Sequence, residues 1–190
     1  MGTCRARAAW KNQDEKEGLR GQTDTPEFKR WFGDSKIVDR KGQPLRMFHG
    51  TDYFSGESFK PENSRSEKRM LWFTSSPMYS ESASRNGRWT SQGPQTIPVY
   101  LSIKKPATYE QFLEHNKNVE SLKKAGFDGA FFWNPAAGGD KHAVAFDSVQ
   151  VKSAIGNRGT FDPADPNITH QDEKEGIRAK VLDNPNTTSA

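Results

Sequence analysis

The chain of 190 residues holds a single cysteine, Cys4, in a polar stretch. One thiol excludes any disulfide framework within the chain and any cysteine-built zinc site. There is also no apolar run near the length of a membrane span, and no short apolar core of a signal peptide. These absences predict a soluble protein of a reducing compartment, the cytoplasm. Apolar residues are scarce, 32% against 27% charged, which is polar for a globular protein. The apolar content that is present clusters. Most of the 12 Phe and 5 Trp lie between Phe28 and Phe161, and rings of that size bury enough area to build one core. The formal charge is +4 and the isoelectric point about 9.1. Such a balance fits an ordinary solvated surface, or attraction to a phosphate-bearing partner, whether dinucleotide or nucleic acid.

Residues 1–25 and 169–190 are polar and lack apolar periodicity. They are predicted to be flexible tails around one domain over 26–168. The tails share a near-copy, Gln13-Asp14-Glu15-Lys16-Glu17-Gly18-Leu19-Arg20 and Gln171-Asp172-Glu173-Lys174-Glu175-Gly176-Ile177-Arg178. Two copies flanking a domain do not make a solenoid and read as linker punctuation within a longer polyprotein.

Between the tails the elements are short. Thr25-Pro26 followed by Phe28, Trp31 and Phe32 predicts a capped helix with one aromatic face, ended at Gly33-Asp34. Ile37-Val38 and Arg46-Met47-Phe48-His49 bracket an Arg40–Gln43 turn and suggest a hairpin. Leu71-Trp72-Phe73 reads as a buried strand, and Ser76-Pro77 as the start of a second helix with Ser76 as cap. Ile97–Ile103 alternates as a strand, its Pro98 favouring an edge or a strand start. Residues 109–125 read as one polar helix ending at Ala125-Gly126. Phe127–Trp133 and Ala143–Phe146 read as strands, the latter extended by Val149-Gln150-Val151. Many short strands with two or three helices predict an α+β fold.

Three places could carry chemistry. His49-Gly50-Thr51 ends a strand; the glycine lets a ligand approach the backbone, and the imidazole could hold a hydroxyl. Taken alone, a surface turn explains these residues as well. Phe73-Thr74-Ser75-Ser76-Pro77-Met78-Tyr79-Ser80-Glu81-Ser82-Ala83 feeds a strand into a helix N-terminus, which favours anions. Tyr79 and Ala83 lie four apart on one face, though an ordinary capped helix would look the same. In Gly138-Gly139-Asp140-Lys141-His142-Ala143-Val144-Ala145-Phe146-Asp147-Ser148-Val149-Gln150, a glycine loop precedes a strand with His142 and Asp147 at its ends.

The order of these segments, with Ala125-Gly126-Phe127-Asp128-Gly129 between them and Gln150-Val151-Lys152-Ser153-Ala154-Ile155-Gly156-Asn157-Arg158-Gly159-Thr160-Phe161-Asp162-Pro163 at the end, resembles the ADP-ribosyltransferase domains of phage and prophage polyvalent and head-morphogenesis-associated proteins. The resemblance covers about residues 26–168. It implies a split β-sandwich of two small sheets with flanking helices and an NAD cleft. The wider class, which includes diphtheria-type toxins and poly(ADP-ribose) polymerases, is known by a His, Tyr, Glu triad.

Carried onto this chain, the resemblance implies that His49 binds the adenine-side ribose and that Gly50 bonds the nicotinamide amide. Thr51 and Phe73 would adjoin the cofactor, and Ser80 or Ser82 would supply a hydroxyl near the carboxamide. The aromatic position falls on Ala83, with Tyr79 one turn earlier as a substitute. The Glu position falls on His142, with Asp140, Asp147 and Gln150 as alternatives. The implied activity is mono-ADP-ribosyl transfer from NAD⁺, without a metal, to a macromolecule, a host protein first and nucleic acid second, by a monomer acting in the bacterial cytoplasm. A catalytically weakened NAD-binding module is the first rival. The second is a nucleic-acid-binding domain using Arg65, Lys68, Arg69, Arg85 and Arg88 beside Trp89.

Overall fold

The computed structural model describes residues 19–52, 54, 57–61, 70–85, 94–134, 139–157 and 161–169. Among these, seven strands and four α-helices form an α+β fold. The strands are β1 (Met47–Thr51), β2 (Leu71–Thr74), β3 (Gln95–Leu101), β4 (Pro106–Ala107), β5 (Gly129–Asn134), β6 (Asp140–Ala145) and β7 (Val151–Ser153). The helices are α1 (Pro26–Phe32), α2 (Pro77–Arg85), α3 (Tyr109–Glu114) and α4 (Val119–Lys124).

All seven strands pair into one sheet in the order β4-β5-β6-β2-β1-β3-β7, where two small sheets were expected. The sheet has a thin place. β1 and β3 share five registered pairs and β2 and β6 share four, but β1 and β2 meet only at Phe48↔Thr74. Main-chain hydrogen bonding therefore joins the two halves at a single rung. Beyond that rung, a side chain takes over: His49 Nδ1 lies 2.8 Å from the Trp72 carbonyl.

Side chains alternate across the sheet, and each face builds its own core. On one face Met47, Phe59, Leu71, Phe73, Val99, Leu101, Ala143 and Ala145 pack together. On the other, Met70, Ala130, Phe132, Val144 and Phe146 pack with Phe112 of α3 and Leu122 of α4. A third cluster sets Phe28, Trp31 and Phe32 of α1 against Tyr100 and Phe161. Thr25 caps α1 by accepting from the Phe28 N–H at 3.2 Å.

Several elements differ from the sequence reading, each for a local reason. The hairpin before β1 is short: Val38 faces Pro44 in a single bridge, flanked by bonds from Asp39 N–H to Gln43 and from Leu45 N–H to Ile37 at 2.8 and 2.9 Å, a pairing that does not call on the missing proline N–H. Pro98 lies inside β3, not at an edge; its carbonyl accepts from Ala154 beyond the end of β7, so no rung of that ladder needs the missing N–H. The single helix over 109–125 is two. Asn116 and Lys117 take positive φ of 52° and 53°, and Asn118 caps α4 by accepting from Ser121 N–H at 2.8 Å. Val149–Val151 does not extend β6. A 3-10 turn, Ser148–Gln150, redirects the chain, and β7 pairs with β3 at the far edge of the sheet.

The packed part reaches beyond the element core at both ends. Gln22 Nε2 donates to the Ser153 and Asn157 carbonyls at 2.9 and 3.0 Å, so the segment before α1 is fastened to the domain. Residues 161–169 form a strap. Ser153 N–H donates to Ile168, and Ile168 N–H donates to Glu57, at 3.0 and 2.7 Å. Lys152, fully buried, donates from Nζ to the Asp165 and Asn167 carbonyls at 2.6 and 2.8 Å. Burial pushes the Lys152 ammonium below its usual pKa, while Asp165 and Asp162 oppose the shift. The remaining residues of the predicted tails, with the repeated octapeptides, lie almost wholly outside the described residues.

Candidate active site

The seam between β1 and β2 gathers most of the residues singled out in the sequence. His49 sits on the first face of the sheet, its ring 4.8 Å from Phe59 and 5.4 Å from Phe73 by centroids. Burial pushes its imidazole below the ordinary pKa of 6.5, and the bond to Trp72 only partly opposes this. The ring is therefore neutral at neutral pH. A carbonyl can only accept, so Nδ1 carries the proton and Nε2 keeps a lone pair. That atom suits a hydroxyl donor and offers nothing to an anion.

Gly50 follows on the opposite side of β1, under helix α2. A Cβ there would overlap the Ser80 carbonyl oxygen and stand 3.2 Å from Ser80 Oγ. Only glycine lets strand and helix approach this closely. Ser80 itself is 1% exposed, and its Oγ has no hydrogen-bond partner. A buried hydroxyl left unpaired costs about 1–3 kcal/mol, and this one lies directly beside the strand backbone at Gly50. Ser76 Oγ accepts from the Tyr79 N–H at 3.3 Å and fixes the first turn of α2 above this cradle.

His142 lies on the same face as Gly50, opposite Thr74 in the β2–β6 ladder. It is 5% exposed, and its Nε2 is a second buried atom without a partner. Tyr79 stands edge-on to its ring at 5.1 Å and 81°, and Phe132 lies nearly parallel to it at 6.2 Å and 8°. Burial lowers the His142 pKa, and the charge of Asp140, two residues earlier on the same strand face, opposes that. The structure thus brings together Gly50, Ser80, Tyr79, His142 and Asp140 on one face, with His49 reaching the seam from the other.

The remaining predicted site residues are placed elsewhere. Phe73 is buried on the His49 side and supports that ring. Thr51 ends β1 opposite Gln95 of β3. Ser82 and Ala83 are on the exposed side of α2, while Ser80 and Ser84 are buried. Asp147 and Gln150 sit past the other end of β6, five or more residues from His142, on the order of 15 Å of extended chain. Both are occupied there. Asp147 accepts from Val149 N–H at 3.2 Å. Gln150 Oε1 accepts from Phe146 and Asp147 N–H groups at 2.9 Å, and its Nε2 donates to the Asp128 carbonyl at 2.7 Å. They hold the turn that sends the chain to β7. Of the cations proposed to flank the cleft, Arg65, Lys68, Arg69 and Arg88 lie outside the described residues, as does Trp89; Arg85 is paired with Glu81 at 2.6 Å. Sequence reasoning missed Phe132, which the β5–β6 register sets opposite His142. It also missed Phe59, for which no local pattern existed. Among the described residues no group of three or more His, Cys, Asp or Glu is placed to hold a metal ion, and no helix is long and apolar enough to cross a membrane.

The site thus sets the His49-Gly50 end of β1 under the serine-bearing helix α2, with His142 of β6 on the Gly50 side. The family model described as ADP-ribosyltransferase in polyvalent proteins matches residues 39–161. The chain belongs to that family. Comparison with curated proteins and with solved structures gave no match.

Proposed function

We propose that the chain is an NAD⁺-dependent mono-ADP-ribosyltransferase that modifies a macromolecule, a host protein in the bacterial cytoplasm. The observation that supports this reading is the Gly50–Ser80 cradle: helix α2 closes on the strand where only glycine fits, and the Ser80 hydroxyl is buried beside it with no partner. A carboxamide is the group that fits, since its oxygen and NH₂ can pair with backbone N–H and C=O and with the hydroxyl. His49 Nε2, an acceptor, suits a ribose hydroxyl. Gly50 and His49 present to opposite sides of β1, so a ligand held by both lies across the strand at the seam.

The reaction breaks the bond between nicotinamide and C1 of its ribose and forms a bond from that carbon to the acceptor. Nicotinamide leaves with the bond pair, and the acceptor's proton must be removed. A neutral His142 cannot supply the fixed negative charge that would stabilise the cationic sugar, but the unprotonated nitrogen of its ring can take that proton. Turnover is therefore expected to be slow and to stop at one ADP-ribose unit. The same substitution of His for Glu favours a second reading, a module that binds NAD⁺ and turns it over weakly.

Incubation with radiolabelled NAD⁺ and host lysate tests the activity, expected as labelled protein bands together with nicotinamide release. NAD⁺ should raise the melting temperature, and His49→Ala should remove most of that rise, at a cost of about 1–3 kcal/mol. A wild-type protein that neither shifts with NAD⁺ nor releases nicotinamide would refute both readings.

A further inference from the structure

One of the most exposed aromatic side chains lies away from the seam. Trp133, at the end of β5, is 63% exposed, yet it is held: its Nε1 donates to the Gly139 carbonyl at 2.5 Å. Gly139 takes φ of +83°, and a Cβ there would stand 3.1 Å from the indole nitrogen, so the glycine keeps room for the ring to lie against the hairpin. A solvent-facing tryptophan normally pays rotamer entropy to meet a partner; this one has already been fixed.

Its surroundings are basic. Lys141 is its cross-strand partner, so both side chains emerge on the same face, about 5 Å apart at Cβ. The Lys141 ammonium lies 5.2 Å from the Phe131 ring centre and donates to the Val38 carbonyl at 3.1 Å, which leaves it further N–H donors. Val38 leads into the tight turn that exposes Arg40 and Lys41. The acid in that turn, Asp39, is engaged by the turn itself: its Oδ1 accepts from the Lys41 and Gln43 N–H groups at 2.7 and 2.9 Å, and its charge is shared with Lys41 and Lys141. The result is a fixed indole beside Lys141, which in turn bonds the base of the turn that exposes Arg40 and Lys41.

We propose that Trp133, Lys141, Arg40 and Lys41 form a binding strip for single-stranded nucleic acid, with a base stacked on the indole and the adjoining phosphates on the cations. Stacking on an exposed ring and backbone contact to a basic track are the two elements of such binding, and neither requires a particular sequence. The strip lies on the face of the sheet opposite His142 and stands independently of the NAD⁺ reading.

The test is fluorescence anisotropy of a labelled twelve-residue oligothymidine titrated with the whole protein at low salt, beside an abasic strand of equal length and charge. Wild type should bind the thymidine strand more tightly than the abasic one, with log K falling against log salt at a slope of about −2 for three cations. Trp133→Ala should weaken binding of the thymidine strand about 5- to 150-fold, the range for one lost stack, and bind both strands alike. Trp133→Phe should retain most of the preference. Replacing Arg40 and Lys41 together by Ser should flatten the salt slope to about −0.7. The NAD⁺ thermal shift should be the same in Trp133→Ala as in wild type, so a failure here and a failure of the NAD⁺ reading are told apart. Equal binding of the two strands by wild type, no binding of either, or a Trp133→Ala protein that binds as wild type does would each overturn the proposal.

Discussion

Ser80→Ala separates a ligand contact from a packing residue. In the free protein Ser80 Oγ is buried beside Gly50 and makes no hydrogen bond. Its removal deletes a desolvated polar atom and leaves the Cβ in place. Relief of an unsatisfied buried hydroxyl is worth up to about 1–3 kcal/mol, against a small loss of packing. For a domain of this size each kcal/mol moves the melting temperature by about 2–4 °C. The ligand-free variant should therefore melt at the same temperature as wild type or a few degrees higher. In the complex the balance reverses, because the nicotinamide carboxamide would lose one hydrogen bond worth about 0.5–1.5 kcal/mol. That is a roughly 2- to 13-fold weaker NAD⁺ affinity. Two thermal melts, with and without NAD⁺, and a calorimetric titration measure both effects. A variant that is clearly destabilised when free, with NAD⁺ affinity untouched, would show that Ser80 is a packing residue and that the cradle has been misread.

Gly50→Ala should do the reverse, because its Cβ would strike the Ser80 backbone, which cannot rotate away; overpacking of this kind costs about 1–3 kcal/mol and should abolish the NAD⁺ shift by displacing α2. His142→Glu should speed nicotinamide release at equal NAD⁺ saturation, since one charge-stabilising group is worth on the order of 10²–10³ in kcat; if instead Asp140→Asn abolishes turnover and His142→Glu changes nothing, Asp140 already supplies the charge. Stability should depend on pH through both histidines. Each has a folded pKa pushed below 6.5 by burial, so below that pH the unfolded chain binds more protons and stability falls, by up to about 1.4 kcal/mol per pH unit per histidine until the folded pKa is passed. Urea melts between pH 7.5 and 5 should show this loss, and it should shrink in His142→Gln; an unchanged slope would place the cause elsewhere.

What could be read from the sequence was local. Thr25-Pro26 and the spacing of Phe28, Trp31 and Phe32 define α1 without help from the rest of the chain. Ser76 caps α2 because a serine before a helix has an N–H to bond within three residues. The order of the His-Gly, serine-helix and His142 segments led to the right family for the same reason: each is a short stretch with its own pattern. Pairing was not legible. Nothing near Val151 says that it joins β3 at the far edge and not β6 beside it, because that choice is made by Gln150 bonding the Asp128 and Ser102 carbonyls across the fold. Gln150 and Asp147 drew notice as chemical groups when their chemistry is directed at the backbone. The Phe132 and Tyr79 rings about His142 depend on cross-strand register and on the path of α2, both set by contacts remote in sequence.

The strap has a consequence for the timing of synthesis. Phe59 packs against His49, and the loop that carries it is fastened through Glu57 to Ile168. The segment that packs on His49 is thus secured by residues made more than a hundred positions later. The ribosome releases α1 and β1 early, but β1 has its partners only in the later strands β2 and β3. The chain cannot lock the wall behind His49 until residue 168 is free to fold back. The nascent protein would keep the proposed site unfinished until residue 168 is made, and a chain interrupted before the strap would release a sheet with its edge and its histidine unsupported.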